Sequence, residues 1–125
     1  MSNPVGWFEI YVSDMGRAKN FYESVLNIQL GELGDPNDST VEMKAFPSDM
    51  EKYGATGALV KMEGFPVGGN SVLVYFSCDD CSLEESRVES AGGRVEKTKF
   101  SIGEYGFISM AVDTEGNMFG LHSLT

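Results

Sequence analysis

The chain has 125 residues, 42% hydrophobic and 22% charged, the make-up of one folded domain with a core of its own rather than a disordered segment. It carries 9 basic against 19 acidic side chains, a formal net charge of −10. The excess runs through both halves, with 5 basic and 9 acidic residues over Met1–Met62 and 4 and 10 over Glu63–Thr125; the lack of a basic stripe argues against nucleic acid or an anionic membrane surface as a partner.

In chain order, Val5–Val12 is rich in aromatic and β-branched residues and reads as a strand. Ser13 or Asp14 can cap a helix on which Met15, Ala18, Phe21, Tyr22 and Val25 form one apolar stripe, with Arg17, Lys19, Asn20 and Glu23 opposite. A strand resumes at Ile28–Leu33. "GDPNDST" (Gly34–Thr40) is dense in turn formers and reads as a connection. Val41–Phe46 and Ala58–Met62 are strands on either side of an irregular excursion, Pro47–Gly57. "GFPVGGN" (Gly64–Asn70) has the Pro and Gly content of a linker.

The pattern then restarts. A strand is expected at Ser71–Phe76 and a helix at Ser82–Ala91, ended by Gly92-Gly93 in a left-handed cap. Strands follow at Arg94–Thr98, Gly106–Val112 and Met118–Ser123. A constant offset of 66 residues superposes the openings of the two halves, taking Asp14 to Asp80, Val12 to Cys78 and Glu9 to Tyr75. Element order agrees although residue identity is poor: strand, helix, three strands, twice. Neither half has the apolar residues to bury a four-stranded sheet alone, so two modules, about 1–63 and 71–125, are expected to pack as a single domain around one cleft. The fold class is α+β.

Cys78 and Cys81 form "CDDC". Two Cys and one His cannot complete a four-ligand zinc site without carboxylates, and the intervening aspartates should oppose thiolate formation. Inert thiols at a strand end are expected. "GFPVGGN" lacks the strand and GK[ST] context of a phosphate-binding loop, and no Gly-x-Ser-x-Gly elbow occurs. No apolar run is long enough to span a bilayer, and no signal peptide is visible, which makes a cytoplasmic location the expectation.

The opening "VSDMGRAKNFYESVLN", the "AGGRV" after the second helix and the closing "DTEGNMFGLHS" together resemble the vicinal oxygen chelate superfamily, which includes glyoxalase I, bleomycin-resistance proteins and extradiol dioxygenases. The resemblance covers essentially the whole chain. It implies two βαβββ modules in a curved, incompletely closed eight-stranded mixed sheet with helices outside, often assembled as a dimer. Metal-binding members draw one ligand from the first and one from the last strand of each module. The matching positions here are Trp7, Leu73, Gly120 and the stretch Gly57–Met62, whose only ionisable residue is Lys61. Trp, Leu and Gly side chains cannot coordinate a divalent cation, so no metal cofactor is expected at the standard site.

The chain's one histidine, His122, lies two residues past Gly120 and so faces the same side of its strand. The same step takes Trp7 to Glu9 and Leu73 to Tyr75. Glu9, Tyr75 and His122 are therefore the candidate catalytic residues, with Trp7, Lys61, Leu73 and Gly120 expected to contact substrate. Burial among Trp7, Phe8, Ile10 and Tyr11 would raise the Glu9 pKa towards that of a general base. The plainer alternatives are core packing for Trp7 and Tyr75, an ion pair with Lys61 for Glu9, and a hydrogen-bonded sheet-edge position for His122. Two functions follow from the resemblance. One is a metal-independent or atypical lyase or isomerase related to lactoylglutathione lyase, with Glu9 as base. The other is a non-catalytic module that binds a drug or metabolite, for which an acidic, aromatic cleft favours a cationic aromatic ligand. In both the partner is a small molecule and the assembly a homodimer.

Overall fold

The computed structural model describes residues 3–33 and 40–125; most of the "GDPNDST" connection lies outside the described residues. The elements are β1 (Phe8–Tyr11), α1 (Met15–Leu26), β2 (Gly31–Leu33), β3 (Val41–Ala45), β4 (Gly57–Met62), β5 (Tyr75–Ser77), α2 (Cys81–Val88), β6 (Arg94–Ser101), a 3-10 turn (Gly103–Tyr105), β7 (Phe107–Val112) and β8 (Met118–Ser123). They form two four-stranded sheets, ordered β1-β4-β3-β2 and β5-β8-β7-β6. In each, the first strand runs parallel to the last and the other pairs are antiparallel. This is the βαβββ unit written twice, with neither sheet closed.

The offset of 66 survives in three dimensions. Asp14 caps α1 by accepting from the Arg17 N–H, and Asp80 caps α2 by accepting from Ser82. One residue past β1, the Val12 N–H bonds the Val60 carbonyl at 2.9 Å; one residue past β5, the Cys78 N–H bonds the His122 carbonyl at 2.7 Å. All five stripe residues of α1 are buried. Tyr22 packs against Phe46 of the first half and Phe76 and Phe119 of the second, with ring centroids 5.6–5.8 Å apart. The halves thus share one aromatic core.

Boundaries differ from the sequence expectation in two instructive places. The strand expected from Ser71 begins only at Tyr75, because the Asn70 side chain pairs with both the N–H and the carbonyl of Met118 and stands in for a backbone ladder there. The second helix stops at Val88, whose carbonyl accepts the Gly93 N–H at 3.0 Å, with Gly92 at φ +104°. Gly93 also lets β6 approach α1, since a Cβ there would lie 2.5 Å from the Phe21 ring.

The turn between β7 and β8, Asp113–Asn117, is lodged in the first half. Asp113 accepts from the Glu115 and Asn117 N–H groups, each at 2.8 Å, and from the Tyr22 hydroxyl at 2.6 Å. Asn117 donates to the Tyr11 carbonyl and accepts from the Gly68 N–H. Glu115, its side chain fully enclosed, accepts from the Ser13 and Asp14 N–H groups, the Ser13 hydroxyl and the Arg17 guanidinium, at 2.7–3.0 Å. Burial by itself pushes the Glu115 carboxyl up; Arg17 and the Asp14, Ser13 and Thr114 donors outweigh it and hold it at about 2.

Glu115→Ala strands two backbone donors and is expected to cost about 2–4 kcal/mol in chemical denaturation. Arg17→Ala should cost less, because half of the Arg17 side chain already meets solvent. Since the folded Glu115 pKa lies below its ordinary 4.5, its stabilising contribution is complete above that value. It fades as pH falls towards 2, and the difference in stability between parent and Glu115→Ala should shrink over that interval.

Candidate functional site

Alternation along β1 sends Phe8 and Ile10, then Val12 beyond its end, to the core, and leaves Trp7, Glu9 and Tyr11 on the other face. On β5 the same alternation buries Phe76 against the core and exposes Tyr75 and Ser77. β1 and β5 are each the edge of their sheet, and a cleft of ≈ 1340 Å³ opens between them. Trp7, Glu9 and Tyr11 line it from the first half, Leu73 and Tyr75 from the second, and Tyr53 from the β3–β4 connection. Trp7, Tyr75 and Tyr53 are 44%, 46% and 89% exposed, so three large rings line one open cleft.

Four of the seven residues singled out in the sequence, Trp7, Glu9, Leu73 and Tyr75, therefore meet in one cleft. Glu9 is exposed there rather than buried. Its Oε1 accepts from the Tyr11 hydroxyl at 2.6 Å and its Oε2 from the Trp7 indole at 3.3 Å. The hydrogen bond to Glu9, then burial, pushes the Tyr11 phenol up to about 12. Tyr11 was missed by sequence reasoning although its signal was present, since it shares the face of Trp7 and Glu9 by alternation. The ring of Phe65 stacks on it at 4.0 Å and 18°. Nothing in the sequence announces Phe65, because the contact depends on the path of the loop after β4.

The other three residues sit elsewhere. Lys61 stands opposite Glu42 on β3, whereas Glu9 stands beside Ala58, an odd number of positions away on β4. Lys61 thus projects from the opposite face of the sheet. His122 lies opposite Ser77 and Ile108, outside the cleft lining, and its Nε2 donates to the Tyr105 carbonyl at 2.7 Å. Glu9 and His122, both candidate catalytic residues, have separate local partners on separate sheets. Gly120 pairs with Tyr75, and a Cβ on it would lie 2.3 Å from the Tyr75 ring. The position where the resemblance expects a ligand carboxylate is thus covered by an aromatic ring.

The residues do not fit the divalent metal that the resemblance associates with this cleft. Trp7 and Leu73 offer no donor of the right kind, Gly120 offers no side chain, and among the described residues no three His, Cys, Asp or Glu side chains converge on a point. Cys78 and Cys81 are free thiols. Burial, then Glu84, pushes Cys78 up to about 12, which is a different cause from the flanking aspartates expected to act. Asp80 instead caps α2 and pairs with Lys99 at 2.8 Å.

Because Gly120 exists to seat the Tyr75 ring, Gly120→Ala is expected to destabilise by about 1–3 kcal/mol through overpacking. In a Tyr75→Ala background the same change should cost little, and a double-mutant cycle in denaturant would read that difference.

Comparison with known proteins agrees with this architecture. The chain resembles TnmS3, an antibiotic binding protein from Streptomyces sp. CB03234, at 26% identity and TM-score 0.68 over 100% of this chain and 98% of that one. A glyoxalase/bleomycin resistance protein from the same organism matches at 25% identity and TM-score 0.64, over 94% and 98%. Glyoxalase I from Zea mays shares the fold at 20% identity and TM-score 0.74; the match takes in 94% of this chain but only 43% of the maize chain, less than half its length. A search of curated proteins finds no match. The sequence profile of one family matches residues 5–121, nearly the whole chain, and by that match the protein belongs to the Glyoxalase/Bleomycin resistance protein/Dioxygenase superfamily.

Proposed function

We propose that the protein binds a planar aromatic cation in the β1–β5 cleft and releases it unchanged. The observation that carries this reading is the combination of exposed aromatic rings with Glu9, the one carboxylate among the described lining residues, held between Trp7 and Tyr11 on β1 while Lys52 lies on the β3–β4 connection. Rings recognise a flat ligand by stacking and a cation by their negative faces, and a net charge of −10 adds long-range attraction. The similarity to an antibiotic binding protein supports the same conclusion. A lyase-type reaction with Glu9 as base would need a group to stabilise the enediolate charge; Lys61 projects from the opposite face of its sheet, and His122 is bonded to the Tyr105 carbonyl outside the cleft lining. The two free cysteines suit a reducing cytoplasm.

Trp7 is the only tryptophan, so its fluorescence reports the cleft directly. Proflavine, a planar monocation, is expected to quench it with an affinity that weakens about fivefold between ~20 and ~500 mM salt. The dye should be recovered chemically intact. Salt-independent affinity would defeat the electrostatic part of the reading. Robust turnover in a glyoxalase assay with added nickel or zinc would restore the lyase-type alternative.

We further propose that the protein is a homodimer. Val5, Trp7, Val72, Leu73 and Tyr75 leave apolar side chains exposed around the cleft, and the sheet edges invite cover. Sedimentation at micromolar concentration should show a species of twice the 13.6 kDa chain mass. A species of 13.6 kDa alone would count against the dimer.

A further inference from the structure

We infer that Tyr11, itself clamped by Phe65, is the positioning residue for Glu9, and that this makes the cleft prefer a ligand bearing a positively charged N–H over a neutral ligand of the same shape. The specificity half of this inference rests on the binding reading above; the positioning half does not.

An exposed glutamate normally samples many rotamers, and holding it in one costs side-chain entropy. Glu9 is held from both sides by residues of its own strand. Tyr11 supplies a short bond to one carboxylate oxygen, at 2.6 Å, and Trp7 a longer one to the other, at 3.3 Å. The shorter, charge-assisted bond dominates the orientation. Each oxygen keeps a free lone pair for a ligand donor. With its phenol pushed up to about 12, Tyr11 stays a donor across the physiological range and never becomes a competing anion.

The Tyr11 ring is fixed in turn. Phe65 stacks on it, and the Phe65 N–H bonds the Met62 carbonyl at 3.2 Å in a turn that passes through Gly64 at φ +81°. Further along the same loop, Gly68 and Asn70 are tied to Asn117 and Met118. The connection between the halves thereby presets the carboxylate, and a preset acceptor favours a ligand with a matching donor because no ordering remains to be done on binding.

The single indole N–H gives a test that needs no ligand. In ¹H–¹⁵N spectra, Tyr11→Phe keeps the stacked ring but removes the donor; the Trp7 indole resonance should move and its exchange with water should speed up severalfold. Phe65→Leu should shift it in the same direction, and Lys61→Ala should leave it in place. In a Glu9→Ala background, which removes the acceptor, Tyr11→Phe should have no further effect. An indole signal unmoved by Tyr11→Phe overturns the positioning role. For specificity, the affinity ratio of proflavine to neutral anthracene-9-methanol should fall about five- to tenfold in Tyr11→Phe, the loss of roughly one hydrogen bond. A moved indole signal with an unchanged ratio overturns the specificity. A parent protein that binds neither probe defeats the binding reading and the specificity with it, while the indole signal still decides the positioning.

Discussion

Glu115 and Asp113 place two carboxylates of the β7–β8 turn inside the β1–α1 junction, and the relative position of the two halves depends on them. A buried carboxylate is costly unless every acceptor site finds a donor. Here the turn supplies some donors itself, and the rest come from the other half of the chain: the Ser13 and Asp14 backbone, Arg17, and the Tyr22 hydroxyl. Neither half can therefore satisfy its own polar groups at this junction. Burial also keeps Tyr22 protonated, well above its ordinary value, with Asp113 adding to the effect, so the core hydroxyl remains a donor to the turn. The aromatic core supplies most of the apolar burial, but this polar insertion is directional and sets where the second sheet lies against the first.

The cleft follows from that placement. β1 and β5 are edges of different sheets, and the Asp113–Asn117 turn holds them facing one another without letting them pair. β1 then does two jobs. One face carries Phe8 and Ile10 into the core, and the other carries Trp7, Glu9 and Tyr11 into the cleft. A rigid strand with its core face locked is a good platform for an ordered carboxylate, since motion of the site would require motion of the core.

Chemistry at the cleft has moved from ligand donors to rings. The Tyr75 ring covers Gly120, and Trp7 donates to Glu9 from the position where the resemblance would place a ligand. A ring over a glycine fills the space of a carboxylate but exchanges a metal-binding oxygen for a stacking surface. Glu9 remains as the charged group of that face, with Lys52 of the β3–β4 connection the other ionic side chain among the described lining residues.

Much of this was legible in the sequence. The five-residue stripe of α1, a cap at Ser13 or Asp14, the repeat at an offset of 66 and the shared face of Trp7 and Glu9 are all written in spacings of two to four residues, or in their repetition. Such spacings depend only on helix and strand geometry, which is the same in any fold. The exposure of Glu9, the turning of His122 to Tyr105, the projection of Lys61 from the far face and the stacking of Phe65 on Tyr11 were decided by tertiary structure. So was the clamp that joins Glu115 to Ser13 across 102 positions. Each requires knowing which strand pairs with which, in what register, and where a loop returns. Those are settled by packing among residues distant in the chain, and no local periodicity records them.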